Sequence, residues 1–253
     1  GDVNGDGLED VYLCQSGGLP NQLFIQNSDG TATEQSASAG VDWSDLTTSA
    51  LLVDLDNDGD QDFVIGTGSA LLIMSNDGTG KFTPRAAIYP DEIVFSLAAA
   101  DYDMDGDLDI YVCRYFPDFL RSGDVPSPIP YHDANNGASN HLLRNDGNWQ
   151  FTDVTESVGL NADNQRWSFS ASWEDYDNDG DLDLYVANDY GRNCLYHNDN
   201  GRFTNVAKAA GVEDIASGMS ACWGDYDRNG YMDIYIANMF SAAGNRITFQ
   251  RKF

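Results

Sequence analysis

Short hydrophobic runs alternate with polar turns along the whole chain, and the arrangement repeats about every 50 residues. The fullest unit begins with residues 168–173 (SFSASW), which read as a first strand, followed by an acidic stretch at 175–183. A second run, 184–187 (LYVA), is hydrophobic at every position. Residues 188–192 lead to a third run, 193–197 (NCLYH), and the turn Asn198-Asp199-Asn200-Gly201 leads to a fourth, 202–206 (RFTNV). Third runs recur at 21–25 and 140–144, and fourth runs around Phe82-Thr83 and Phe151-Thr152. The turns recur as Asn27-Ser28-Asp29-Gly30, Asn76-Asp77-Gly78 and Asn145-Asp146-Gly147, all with hairpin chemistry. The pattern predicts four antiparallel strands per unit, the blade of an all-β propeller, in which radial stacking protects strand edges. Second runs such as 110–113 (IYVC) predict burial on both faces, between neighbouring blades. Repeat one lacks its first strand, and repeat five stops within its third, near 247–249. Three whole and two partial blades are therefore expected, with all of 1–253 forming one propeller section. A section of a larger ring is preferred to a closed ring of five, because both ends fall within a blade.

Between the first and second strands of each repeat lies a nine-residue pattern. It begins at Asp2, Asp54, Asp101, Asp175 and Asp225, at intervals of 52, 47, 74 and 50 residues. Positions 1, 3, 5 and 9 carry oxygen-bearing side chains, and position 6 is Gly. A hard cation such as Ca²⁺ takes six to eight oxygen ligands, and a sharp turn at the glycine lets positions 1, 3 and 5 converge on it. The predicted side-chain ligands are Asp2, Asn4, Asp6 and Asp10 in the first loop and Asp54, Asp56, Asp58 and Asp62 in the second. They are Asp101, Asp103, Asp105 and Asp109 in the third, Asp175, Asp177, Asp179 and Asp183 in the fourth, and Asp225, Asp227, Asn229 and Asp233 in the fifth. Position 7 would add a backbone carbonyl from Leu8, Asp60, Asp107, Asp181 or Tyr231. An EF-hand begins similarly, but it needs Glu at position 12 and a following helix. Here position 12 is Leu13, Ile65, Val112, Val186 or Ile236, inside a strand-like run, so an EF-hand is rejected. Metal-free acidic turns are disfavoured because converging carboxylates repel one another. Up to five Ca²⁺ are expected. Weaker binding is expected in the first and fifth loops, where Asn4 and Asn229 replace a carboxylate and Arg228 adds a positive charge.

Composition fits this reading. The formal net charge is −28, and 22 of the 41 acidic residues lie in the five loops. Five Ca²⁺ would leave about −18, a surface that opposes nucleic acid and anionic membranes. Hydrophobic content of 42% argues against a disordered acidic tail, and no apolar run approaches a membrane span of roughly 18 residues. The chain does not begin with Met and starts inside an acidic loop, so it reads as a mature or partial piece of a longer protein, its targeting signal out of view. Extracellular calcium modules bind at about 10⁻⁴–10⁻³ M, more Ca²⁺ than resting cytosol holds. An extracytoplasmic location (secreted, cell-surface or periplasmic) follows as an expectation. Cys14, Cys113, Cys194 and Cys222 form no CxxC; unbridged buried thiols are favoured over disulfides.

The long third interval places its excess at 117–139, a Pro- and Gly-containing stretch predicted to be an extended surface loop between second and third strands. Such loops lie at the end of a blade opposite the acidic loops. A partner-binding face is expected there, with Phe119, Tyr131, His132, Asp189, Tyr190, Arg192, Met239 and Phe240 as candidates, since aromatic residues and Arg are enriched in hot spots. Capping of the blades is the plainer alternative. Catalysis is not expected. His132, His141 and His197 share no metal-ligand spacing, and no GxSxG, HExxH or phosphate-cradling loop appears. His141 and His197 read as structural third-strand residues. Trp173 and Trp223, each two residues before an acidic loop, read as repeated core positions rather than glycan platforms.

The loop, its flanking strands and its period resemble the FG-GAP/VCBS repeat of integrin α-subunit heads and many bacterial secreted proteins. Residues 151–155 (FTDVT), 172–180 (SWEDYDNDG) and 187–191 (ANDYG) are similar to the cartilage acidic protein-like group, whose members often carry an ASPIC/UnbV segment. The resemblance covers essentially all of 1–253. It implies a β-propeller with Ca²⁺ in the loop between the first two strands of each blade. Some related propellers belong to polysaccharide lyases. The expected function is a calcium-stabilised binding or assembly module with a protein partner or larger complex. A glycan-binding or glycan-cleaving module and a purely structural subunit are the alternatives.

Overall fold

Asn, Asp and Gly turns cut the chain into short runs of β-branched, aromatic and aliphatic residues, and each run pairs antiparallel with its sequence neighbour. The computed structural model describes residues 1–15, 17–89, 92–117 and 127–239. The first sheet holds β1 (Val11–Leu13), β2 (Gln22–Gln26) and β3 (Ala32–Glu34), followed by a short helix, α1 (Ser36–Ala39). The second holds β4 (Thr47–Val53), β5 (Asp62–Thr67), β6 (Leu71–Asn76) and β7 (Phe82–Ile88). The third holds β8 (Ser96–Ala100), β9 (Asp109–Cys113), β10 (His141–Asn145) and β11 (Phe151–Asp153). The fourth holds β12 (Trp167–Glu174), β13 (Asp183–Asp189), β14 (Cys194–Asn198) and β15 (Phe203–Asn205), followed by α2 (Ala207–Ala210). The fifth pairs β16 (Gly218–Gly224) with β17 (Asp233–Asn238). Three four-stranded sheets and two smaller ones match the predicted repeat. The third strand expected near 247–249 lies outside the described residues.

Three first strands carry an irregularity at one repeat position, between Thr47 and Ser49, Ser168 and Ser170, and Gly218 and Ser220. An extra residue there bends the strand and increases its twist. The chain forms two compact units. One comprises Gly1–Leu97 with Asn145–Phe151, the other Ala98–Arg144 with Thr152–Phe253. In the first unit, Phe63 and Ile65 of β5 enter a core with Val3, Leu23 and Phe82. In the second, Leu184 and Val186 of β13 pack with Tyr111, Leu142 and Tyr196. Tyr185 and Ala187, on the other face of that strand, pack with Leu195, Trp223 and Ile236. Every residue of β5, β9 and β13 is buried, as the unbroken hydrophobic runs predict. The prediction fails for β1 and β17. Val11 and Leu13 are exposed, and Tyr235 is 70% exposed, because one face of each strand is uncovered.

Trp173 meets Tyr111 edge-on at 6.2 Å, and Trp223 meets Tyr185 edge-on at 6.2 Å, so both occupy the repeated core position predicted for them. The thiols form no disulfide. Cys113 and Cys194 are buried, whereas Cys14 is half-buried and Cys222 lies on an exposed strand face, a departure from four buried thiols. The two helices were not legible in the pattern. Each is four residues long and stops at a left-handed glycine, Gly40 or Gly211. No helix among the described residues is long and apolar enough to cross a membrane.

Candidate metal centres

The five acidic loops share one backbone scaffold. The position-6 glycines, Gly7, Gly59, Gly106, Gly180 and Gly230, have φ between +82° and +101°. Each donates its N–H to Oδ2 of the loop's first Asp at 2.8–3.0 Å. The N–H groups of Leu8, Asp60, Asp107, Asp181 and Tyr231 donate to the position-5 side chain at 2.8–3.0 Å. Position 4 is also left-handed, at Gly5, Asn57, Met104, Asn178 and Arg228. At position 2, Val3, Leu55, Tyr102, Tyr176 and Tyr226 donate N–H to Oδ2 of Asp10, Asp62, Asp109, Asp183 and Asp233, at 2.9–3.3 Å. Position 12 lies in a strand in all five repeats, so the scaffold is not an EF-hand.

Carboxylate oxygens converge within this scaffold. Asp54, Asp56 and Asp58 bring ligand atoms within 4.8 Å of one another, as do Asp101, Asp103 and Asp109; Asp175, Asp177 and Asp183; and Asp225, Asp227 and Asp233. Position 5 joins positions 1 and 3 in the second loop, while position 9 takes its place in the next three. Asp2, Asn4 and Asp6 are tied to each other instead, with Asn4 Nδ2 donating to Asp6 Oδ2 at 3.2 Å and the Asp6 N–H donating to Asn4 Oδ1 at 3.1 Å. Within the loops, three carboxylate oxygens are buried without a hydrogen-bond partner: Asp54 Oδ1, Asp103 Oδ1 and Asp177 Oδ1. Burial, and then the neighbouring Asp105 and Asp101, raise the Asp103 carboxyl above its ordinary value. Burial, and then Asp58, does the same to Asp56. Burial pushes both Asp62 and Asp183 up to about 6. Orphaned, crowded carboxylate oxygens held by a preformed turn fit a bound divalent cation, which would reverse these shifts.

The position-9 carboxylate also ties each loop to its own sheet. Oδ1 of Asp10, Asp62 and Asp183 accepts the N–H of Gln26, Asn76 and Asn198 at the end of the third strand, at 2.7–2.8 Å. Sequence reading missed what those asparagines do next. Asn76 Nδ2 donates to Val3 O at 2.8 Å, and Asn198 Nδ2 donates to Tyr102 O at 2.9 Å, both at position 2 of the preceding repeat's loop. Asn145 repeats this within the first unit, donating to Leu55 O at 2.8 Å. Recurrence of Asn at one register was the available signal, and turn chemistry had already accounted for it. His197, expected as a structural third-strand residue, hydrogen-bonds Asp183. Its Nδ1 lies 3.4 Å from Asp177 Oδ2 and 3.2 Å from Asp183 Oδ1, beside the fourth loop. His141 instead pairs with Asp153, Nδ1 to Oδ2 at 2.8 Å.

The profile of the FG-GAP-like repeat matches residues 2–65, 54–112, 132–186 and 175–236. The chain belongs to the FG-GAP-like repeat family. Each matched segment of this FG-GAP chain ends within a second strand, beyond the acidic loop. The expectation of an all-β, propeller-type repeat fold is borne out. No curated protein matches the chain in sequence. Among solved structures, it is similar to a lectin of Agrocybe aegerita described as recognising non-reducing terminal N-acetylglucosamine (16% identity, TM-score 0.47, 90% of this chain and 60% of that one). It is also similar to the biofilm matrix protein Bap1 of V. cholerae (16% identity, TM-score 0.46, 95% of this chain and 34% of that one). The chain thus spans less than two thirds of either.

At the other end of the sheets, the described part of the long loop, 127–139, is anchored rather than extended. Ala134 is buried and donates its N–H to Tyr190 O at 2.7 Å, and the Gly137 N–H donates to Gln165 O at 2.9 Å. Asp133 binds Arg166 Nη1 at 2.8 Å and Arg192 Nε at 2.9 Å, and Arg192 Nη1 reaches Glu213 at 3.1 Å. Against its desolvation, the two guanidiniums hold the Asp133 carboxyl below the ordinary value. Tyr131 packs on Tyr190, and Tyr190 on Trp167, with centroids 5.2 and 5.7 Å apart. Tyr131, His132, Tyr190 and Arg192 are half-buried and Met239 is exposed. Asp189 is buried at 1% exposure, accepting from Tyr115 OH and the Tyr190 N–H, so it supports this surface from below rather than presenting itself. Phe119 and Phe240 lie outside the described residues.

Proposed function

We propose that this FG-GAP repeat chain is a calcium-stabilised, extracytoplasmic binding module whose partner is a protein or a larger assembly. The observation that carries the reading is the five-fold reuse of one acidic scaffold, with an orphaned carboxylate oxygen in the second, third and fourth loops. Asp54, Asp56 and Asp58, and positions 1, 3 and 9 of the third to fifth loops, would hold the ions. When bound, Ca²⁺ would neutralise the converging carboxylates and stiffen the loop between the first two strands. That leaves the loops at the other sheet end to carry specificity. Tyr131, Tyr190 and Arg192 are held there by edge-on ring contacts and ion pairs, and a pre-ordered surface loses less entropy on binding. No catalytic role is part of the proposal.

The test is isolation of the intact protein from its native source in millimolar Ca²⁺, with copurifying chains identified by mass spectrometry. A specific chain is expected, and it should be lost with Tyr131→Ala or Tyr190→Ala while the calcium-bound Tm holds within a few degrees. Absence of any partner, or its retention by both variants, would sink the binding reading. Glycan binding is a second reading, supported by a polar cavity of about 480 Å³ lined by His141, Asp153, Glu156, Asn161 and Asn164. Saturable binding on a polysaccharide array, abolished by Glu156→Ala, would favour it.

A further inference from the structure

One register position on the third strand carries different chemistry in each of the first four sheets. The pairings Val11 with Phe24, Phe63 with Met74, Ile110 with Leu143 and Leu184 with Tyr196 are equivalent. The next residue on the third strand is therefore Ile25, Ser75, Arg144 or His197. Ile25 offers no ligand atom. The Ser75 hydroxyl accepts from Arg85 Nε at 2.7 Å. Arg144 places a fixed positive charge near Asp103. Of the four, His197 alone offers a metal-binding nitrogen.

That nitrogen is well placed. His197 Nδ1 lies 3.4 Å from Asp177 Oδ2 and 3.2 Å from Asp183 Oδ1. Two ligands each about 2.1 Å from a tetrahedral ion stand roughly 3.4 Å apart. Ligand atoms of Asp177, Asp179 and His197 lie within 4.8 Å of one another, and so do those of Asp175, Asp177 and Asp183. Asp177 Oδ1 is buried and has no hydrogen-bond partner, which marks an uncommitted ligand oxygen at this place. The N–H groups of Tyr176 and Asn198 fix the orientation of the Asp183 carboxylate, the kind of support that ligating carboxylates receive in metal sites. Ca²⁺ takes oxygen ligands, whereas imidazole suits Zn²⁺ and its neighbours.

We propose that Asp175, Asp177, Asp183 and His197 form a mixed carboxylate–imidazole centre that takes a first-row transition ion such as Zn²⁺ in preference to Ca²⁺. The proposal rests on reading the acidic loops as cation sites. The test uses the full chain, stripped of metal and then held in millimolar Ca²⁺. Zn²⁺ is added under equilibrium dialysis with elemental analysis, and Co²⁺ is added in parallel as a visible-absorption probe. One equivalent of Zn²⁺ should bind in the presence of Ca²⁺, and His197→Ser should weaken it at least tenfold while leaving Ca²⁺ bound at the other loops. Arg144→His, which puts imidazole at the same register over the third loop, should raise the count to two. Equal Zn²⁺ binding by wild type and His197→Ser, displacement of Zn²⁺ by Ca²⁺, or no change with either variant would overturn the centre. Binding of neither ion by the wild type would instead overturn the underlying loop reading.

Discussion

Met104 stands at φ +58° because position 4 of every acidic loop turns through the left-handed region, and there it has no glycine or asparagine to ease the turn. A left-handed L-residue costs roughly 1–2 kcal/mol, less for Asn. Its side chain is 58% exposed, so little packing is lost on replacement. Met104→Asn is therefore expected to stabilise the chain by about 1 kcal/mol, a Tm rise of about 2–4 °C by calorimetry at fixed Ca²⁺. An unchanged or lower Tm would count against the backbone argument. Asp62 and Asp183 give a second prediction at this scale. Their carboxyls titrate near 6 in the folded, metal-free chain, above the ordinary 3.8. The folded state then binds protons that the unfolded state has released, so stability falls as pH rises. The loss is absent below about pH 4, grows between 4 and 6, and is complete above 6. Metal-free protein should melt higher at pH 5 than at pH 7. Saturating Ca²⁺ should invert the order, because it favours the charged carboxylates; the same order with and without Ca²⁺ would refute this account. Sequence made the loop carboxylates and the position-6 glycines visible. It did not reveal the turn at position 4, because Met and Arg are unusual left-handed residues that no composition rule selects.

Single asparagines at the end of the third strand join elements that local pattern leaves separate. Asn198 is fully buried; its Nδ2 donates to Tyr102 O and Leu182 O, and its Oδ1 accepts the Gly201 N–H. Removing the amide would strand two buried carbonyls and one N–H, at about 1–3 kcal/mol for each unsatisfied group with partial relief by water. Asn198→Ala is expected to lower unfolding stability by roughly 2–4 kcal/mol in urea titrations. A loss under about 0.5 kcal/mol, the range of ordinary surface changes, would show that the link is incidental. Strand existence and order were legible because turns and hydrophobic runs recur at fixed offsets. The Asn link was not, since a turn-forming Asn and a bridging Asn look alike in sequence and differ only in what lies within 3 Å.

At the scale of the whole molecule, the charge of −28 is concentrated where cations would neutralise it. EGTA should sharply lower the Tm, and no change would weigh heavily against structural Ca²⁺. In a titration, the first and fifth loops should fill last, since Asn4 and Asn229 replace carboxylates there. If those two proved the tightest, the charge-count argument would fail. The first loop's closure through Asn4 and Asp6 hydrogen bonds points the same way, because those groups already satisfy each other.

By itself the sequence determined the strand-and-turn repeat, its family and the acidic loops, because each is written in residues close together in the chain. Only the tertiary structure decided which carboxylate oxygens stay orphaned, that Asp189 is buried, that 127–139 is pinned down, and that His197 stands beside the fourth loop. Those facts depend on which side chains from distant segments meet. Spacing along the chain carries no record of that until the strands are paired and packed.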